Sequence, residues 1–505
     1  MLQKPLKRKI QTGSIAAVTA VVLAGCGTVD VEYSRNLPMP DNYSMETSVK
    51  TQVQDLTGWW KHFNDPPLSE LINAAIKNNP DLETTRLHLQ KAVHEAEYAG
   101  ADLGPSAAAG VMMAGAKSNA DLPVSLPGIS TSRSNFAAAG SVTASWELDL
   151  FGRKKSNLDA AKYKVISAED QMYAARAAVA AQTALSYYDV LAAEEQTAVL
   201  NSSISNLEDT LRYVKGRFNS GEATAADVQN TENMITELKS RLSLLRAKSE
   251  AGIRGLAVLT GNTPQTFMLQ ELPKKLPDEL PPAPTGGQPG ELMLRRPDIR
   301  AKDNEISARA ALVASAKADL YPRFEIVFLG GLGRIEMNGR TDHISGWGSV
   351  LSGSLTVPVF TNGRIRANIG IKNAELEISL AEYQSLILNA LKEVDDSYGD
   401  LHHLQEQKKF LEKALQESRR LEKTSARLFE FGKNNFDSIT SARNRSLEFE
   451  NRLVENRLGR IKSLISLYKS LGGGWNFKPT ETVAEKTSAK QPSKYFAGNG
   501  SDNSR

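Results

Sequence analysis

Between Pro127 and Pro264 the chain contains no proline, so nothing in that interval forces a helix to break. Within it, apolar or small residues recur at 158, 161, 165, 168, 172, 175 and 179, a seven-residue repeat of the kind that packs neighbouring helices as coiled coils. The segment opens on a strand-like run, Trp146 to Gly152, and the spacing then predicts a helix over 153–219. Such a helix is about 100 Å long at 1.5 Å per residue, too long for an ordinary globular core. Gly221 suits a helix C-cap, and a return helix is expected over 225–258.

The same stretch occurs twice. Adding 211 carries Gly152, Arg153 and Asn157 onto Gly363, Arg364 and Asn368 without a gap. The match holds for Ser186-Tyr187 on Ser397-Tyr398, Glu195-Gln196 on Glu406-Gln407, Gly221 on Gly432, Arg246 on Arg457 and Gly261 on Gly472. The second copy is proline-free from Val359 to Lys478 and predicts long helices over 364–430 and 436–471. Upstream, at an offset of 217, Pro80-Asp81 matches Pro297-Asp298, and Ala101-Asp102-Leu103-x-Pro105 matches Ala318-Asp319-Leu320-x-Pro322. The expected organisation is therefore a first repeat over 68–271, a Pro/Gly linker over 272–290 and a second repeat over 291–477. A Lys-, Ser- and Asn-rich tail over 478–505, read as disordered, follows.

Each repeat also carries a pair of strands, 106–116 with 135–150 and 324–333 with 349–360. In 135–150, Phe136, Ala138, Gly140, Val142, Ala144, Trp146, Leu148 and Leu150 share one face, while Ser141, Thr143, Ser145, Glu147 and Asp149 share the other. Polar stretches over 117–133 and 334–347 read as loops. Lengths near ten residues suit tilted transmembrane strands. Four strands cannot close a barrel, and an open edge cannot sit in lipid. Either several chains share one barrel, or the sheet is not in a membrane.

The N-terminus has a basic region followed by an apolar run and Leu23-Ala24-Gly25-Cys26, with Cys26 the only cysteine. It resembles a bacterial lipoprotein signal peptide over 1–25, with Cys26 lipidated and a tether over 26–67. The alternative is an ordinary secretory signal with an incidental cysteine. Beyond it no apolar run reaches the length of a membrane helix. A net charge of +3 offers no case for nucleic acid. The adjacent Trp59 and Trp60 read as packing of the first helix rather than a binding platform. No phosphate loop, nucleophile elbow or metal-spaced His/Cys cluster is present, so no enzyme, cofactor or metal is expected. His402-His403 comes nearest, but adjacent helical residues point apart and read as a solvated face.

The lipobox, Trp59-Trp60 with Asp65-Pro66, Trp146 to Gly152, the duplication and the Arg-Phe-x-x-Gly tip ending at Gly221, with Asp227-Val228 beyond, together resemble the TolC-type outer-membrane factors of tripartite efflux. The likeness is to the lipoprotein branch, NodT-like or OprM-like, and covers about residues 23–475. It implies a mainly α chain with a membrane β-barrel: a homotrimer whose twelve strands form one barrel in the outer membrane, continued by a long periplasmic α-helical barrel. It implies a passive export duct for small toxic compounds, served by a periplasmic adaptor (membrane fusion) protein and an inner-membrane efflux pump. Partners would be those proteins and outer-membrane lipids. Adaptor contact falls on Gly221, Gly432, Arg217 and Phe429, and the aperture on Asp227, Asp437 and Lys433, with Asp227 alternatively a cap at the start of its helix. The chain departs from the family where aspartates commonly line the constriction, having Ser438 and Ser441. A duct of type I protein secretion shares this architecture; a structural cell-envelope lipoprotein would not need duplicated amphipathic strands.

Overall fold

The computed structural model describes residues 31–34, 39–44, 56–119, 132–269, 272–284, 289–337, 343–433 and 436–475. Cys26, the signal segment over 1–25 and the tail over 478–505 lie outside the described residues. Two compact units are formed, one from 1–36, 90–167 and 302–382, the other from 37–89, 168–301 and 383–505.

The first unit holds a four-stranded sheet. Strands β1 (Ser106–Asn119), β2 (Ser132–Leu148), β3 (Arg323–Met337) and β4 (His343–Thr356) are ordered β1-β2-β3-β4, every pairing antiparallel. The two repeats thus meet by pairing β2 with β3. Directly opposed residues share a face, so the register sorts the sheet. One face carries the rows Leu148–Phe324–Leu355, Ala107–Ala144–Phe328–Leu351 and Val111–Gly140–Leu332–Trp347. The other carries Ser106–Ser145–Val327–Ser352 and Gly110–Ser141–Gly331–Gly348, with an apolar patch at Leu329 and Val350. The apolar face is left open: Phe328, Leu332, Trp347, Leu351 and Leu355 are all exposed. Its band runs from Leu148 to Gly140 along β2, and Arg334 and Ser345 stand opposite Ala138 beyond it.

The strand bounds correct the sequence reading. Those expected over 106–116 and 324–333 continue to Asn119 and Met337, and the partner strands begin at Ser132 and His343 rather than at 135 and 349. Polar residues read as loop are in the ladder, with Lys117 opposite Ser134 and Ser118 opposite Arg133. Backbone pairing needs no apolar side chain, so the ladders continue past the amphipathic band. At the other end the strands stop short of 150 and 360. A tight turn with the Leu150 N–H donating to the Leu148 carbonyl closes β2, and Pro358, which has no N–H to donate, follows β4.

Helix α1 (Pro66–Asn78) leads through Asn79 into α2 (Pro80–Ala101), and α3 (Arg153–Asn219) follows the sheet residues of the first repeat. Helix α4 (Ala225–Leu259) completes that repeat. The second repeat uses α5 (Leu292–Arg295), α6 (Pro297–Ala318), α7 (Arg364–Glu430) and α8 (Phe436–Ser470). The start of α3 is tied to β2 by Glu147, which accepts from the Arg153 guanidinium at 2.9 and 3.0 Å, and to the end of α2 by Lys154 Nζ, which donates to the Asp102 carbonyl at 2.7 Å.

The second unit has an aromatic core. Trp59 is fully buried and stacks on Tyr468, with centroids 5.4 Å apart and planes at 13°, so the tryptophan pair is core. Trp60, Phe63, Tyr187, Tyr188, Leu191 and Ile465 belong to the same cluster. Asp65 caps α1 by accepting from the Leu68 N–H at 3.2 Å, and Tyr187 Oη donates to both of its oxygens at 3.1 Å. Burial pushes the Asp65 carboxyl above its ordinary range, and those donors pull it back.

Duplication is visible in the helix ends. Gly261 and Gly472 both adopt positive φ, and a Cβ there would lie 2.4 Å from the Asn78 carbonyl oxygen or 2.7 Å from that of Arg295. The next residue along, before the proline in each repeat, then caps the neighbouring helix. Asn79 Nδ2 donates to the last carbonyl of α4, Leu259, at 2.9 Å, and Arg296 Nη1 donates to that of α8, Ser470, at 3.3 Å.

The linker breaks this symmetry. Glu195 accepts from the Arg457 guanidinium at 2.7 Å and from the Leu276 N–H at 2.9 Å, while Arg457 also reaches Asp278 at 3.0 Å. Both members of the Glu195–Arg457 pair are largely buried. Removing one partner strands the other, at a cost of about 3–5 kcal/mol. Arg457→Ala should therefore unfold measurably earlier in urea or on heating. Arg246→Ala, the duplicated but exposed position, should stay within about 0.5 kcal/mol of the parent. Equal effects at both positions refute the assignment.

Candidate functional site at the helical tips

Helices α3 and α7 end in the same way. Gly221 (φ +78°) and Gly432 (φ +69°) occupy the left-handed region, which only glycine enters at little cost. The Gly221 N–H donates to the Phe218 carbonyl at 3.0 Å and the Glu222 N–H to that of Arg217 at 2.8 Å. At the second tip, the Gly432 N–H donates to the Phe429 carbonyl at 2.9 Å and the Lys433 N–H to that of Leu428 at 2.8 Å. These paired bonds are Schellman caps, which satisfy the orphan carbonyls of each helix and turn the chain sharply.

The return helix α4 starts with a capping box. Thr224 Oγ1 accepts from the Asp227 N–H at 3.2 Å, and Asp227 Oδ2 accepts from the Thr224 N–H at 2.8 Å. Thr224 is thus the N-cap and Asp227 the third residue of the helix, where its charge also suits the helix dipole. The signal was legible as Thr-x-x-Asp. In α8 the corresponding residue is Ser438. Asp437 lies in the first turn of α8, and its side chain is outside the described residues.

Arg217 and Phe429 are brought together across the two repeats. The Arg217 guanidinium carbon lies 4.8 Å from the centre of the Phe429 ring, whose edge meets Tyr213 at a centroid distance of 6.2 Å. Arg217 Nε is also 3.3 Å from Glu222 Oε2. This cation–π contact joins the end of α3 to the end of α7. Sequence reasoning named both residues but gave no reason to pair them, and it missed Tyr213. A second tie, Lys215 to Glu232 at 2.7 Å, holds α3 to α4. Lys433, Phe218 and Phe431 are all exposed. Among the described residues the tips present aromatic and charged side chains to solvent.

The order of elements, a strand hairpin before each long helical hairpin with both repeats feeding one sheet, can be compared with known proteins. The family model described as outer membrane efflux protein matches residues 71–262 and 289–473. The chain belongs to that family. Its members are outer-membrane efflux channels, passive ducts rather than enzymes, and the chain is an OprM-like outer-membrane factor. It is 26% identical over 486 residues to the toluene efflux pump outer membrane protein TtgF of Pseudomonas putida, covering 92% of this chain and 98% of that one. To the pyoverdine export outer membrane protein OpmQ of Pseudomonas aeruginosa it is 27% identical over 469 residues, covering 92% and 97%. Among solved structures, the outer-membrane channel OprN superposes with a TM-score of 0.75 at 23% identity, covering 89% of this chain and all of that one.

In this outer-membrane channel the tip glycines can be tested directly. A Cβ on Gly221 or Gly432 would meet no atom within 4 Å, so replacement strains only the backbone, by about 1–2 kcal/mol. Gly432→Ala should raise hydrogen exchange in the last turn of α7 without changing the global unfolding midpoint. Unchanged exchange there would contradict the cap.

Proposed function

We propose that three copies of this chain form one twelve-stranded barrel in the outer membrane, continued by a periplasmic barrel of helices, and that the assembly is the passive duct of a tripartite efflux system. The observation that carries this reading is the sheet: one face is apolar over a membrane-sized band, and both edge strands, β1 and β4, have unpaired backbone on one side. Hydrocarbon tolerates the apolar face but not the edges. Pairing β4 of one copy with β1 of the next, three times over, leaves no edge. The solved channels of similar fold support this arrangement.

The energy for export would come from an inner-membrane pump, linked by a periplasmic adaptor that docks on the tips. Gly221, Gly432, Arg217 and Phe429 are the proposed contact, and Asp227, Asp437 and Lys433 the proposed aperture. Lipidation of Cys26, readable by intact mass of the mature chain, would add a second anchor to a barrel already inserted. Toluene and pyoverdine, which name two of the relatives, are both small molecules. That favours a small toxic compound over a secreted protein as cargo.

The membrane assignment makes a face-specific prediction. Val142→Arg, on the apolar face near the middle of its band, should cost about 2–4 kcal/mol and reduce the yield of trimer by native mass spectrometry, while Leu355→Arg, in the row at the end of the band, should cost about 0–1 kcal/mol. Thr143→Arg, on the opposite face, should assemble. The cargo assignment predicts that deleting the chain lowers the concentration of organic solvents and amphipathic drugs that cells tolerate. Unchanged tolerance combined with loss of a protein from the medium would point to secretion instead.

A further inference from the structure

His402, His403 and Glu406 stand on an exposed stretch of α7. As neighbours in sequence the two histidines are expected to diverge, yet their side chains converge. The imidazole centroids are 5.3 Å apart with planes at 71°. His402 Nε2 and His403 Nδ1 each lie 3.9 Å from Glu406 Oε2, and one donor atom from each residue falls within 4.8 Å of the other two. The reason is Glu406, which sits four residues from one histidine and three from the other, the two spacings that share a helix face. Its flexible stem places a carboxylate between them.

We propose that this cluster binds a divalent transition-metal ion of the zinc or copper class. Two imidazole nitrogens and one carboxylate oxygen are the donor set of a three-ligand zinc site, which leaves a further position to water. The same set suits copper, whereas magnesium and calcium favour oxygen donors. Bonds of about 2.0–2.1 Å in tetrahedral geometry put neighbouring donors about 3.4 Å apart. The 3.9 Å separations need only small side-chain rotations. The three side chains are 55–68% exposed, which leaves them room to rotate.

Ion pairing does not account for the convergence. Exposed His–Glu contacts at 3.9 Å contribute little, and one carboxylate cannot bond both rings at that distance. Among the described residues no other group of three His, Cys, Asp or Glu side chains brings its donors together in this way. His94 and Glu97, 2.9 Å apart, supply a pair without a third ligand and so serve as a control. An ion at His402, His403 and Glu406 would clamp one turn of α7.

The test is calorimetric titration of the full chain in detergent with zinc chloride, repeated with magnesium chloride. One zinc ion per chain is expected and no magnesium heat. His402→Ala and Glu406→Gln should each weaken zinc binding by about tenfold or more, while His94→Ala leaves it unchanged. These exposed substitutions should preserve the fold, which circular dichroism and gel filtration check. A parent that binds no zinc, or that titrates like the His402→Ala/Glu406→Gln double variant, overturns the proposal. So does loss of binding in His94→Ala.

Discussion

Unpaired backbone amides and carbonyls cannot stay in hydrocarbon, where each costs several kcal/mol. For this chain that rule decides more than any single contact. Its sheet has four strands, an apolar face and two open edges, which the proposed trimer would close into one barrel. Everything else must present that sheet in a repeatable way. Equal strand hairpins in the sequence are each followed by equal helices, and α3 and α7 are both 67 residues long. Equal helices need sharp ends. The glycines at 221 and 432 supply them through identical hydrogen-bond patterns.

Much of this was legible in the sequence because rigid elements tolerate few insertions. An ungapped offset of 211 exposed the duplication, the absence of proline exposed the helices, and period-two alternation exposed the apolar strand face. Strand ends were not legible. Polar residues such as Lys117 and Arg133 enter the ladder through their backbone alone, which alternation cannot report. The site was legible in part. Tip glycines follow from cap chemistry, but the approach of Arg217 to Phe429 joins residues from different repeats and depends on how two helices pack. The convergence of His402 and His403 on Glu406 escaped for a different reason: backbone direction was used where side-chain reach decides.

Duplicated residues do not keep duplicated partners, and the differences follow a pattern. Tyr187 donates to Asp65, the cap of α1, whereas its counterpart Tyr398 donates to the Pro284 carbonyl at 2.7 Å. Glu195 is buried against Arg457 and Leu276, whereas Glu406 is exposed beside two histidines. In both comparisons the segments that break the symmetry are ones the duplication does not contain, the approach to α1 and the linker between repeats. Where the helix ends of the two repeats meet their own α1–α2 and α5–α6 corners, the geometry is kept. Gly261 and Gly472 make the same close approach, and Asn79 and Arg296 cap the same carbonyl position despite their different chemistry. That last pair shows what the helix end requires: a donor of sufficient reach, of either charge state. The pseudo-symmetric frame is therefore set by backbone demands that several side chains can meet. Individuality enters where the linker and the N-terminal segment add partners of their own, and the aromatic core around Trp59 and Tyr468 is built at one such junction.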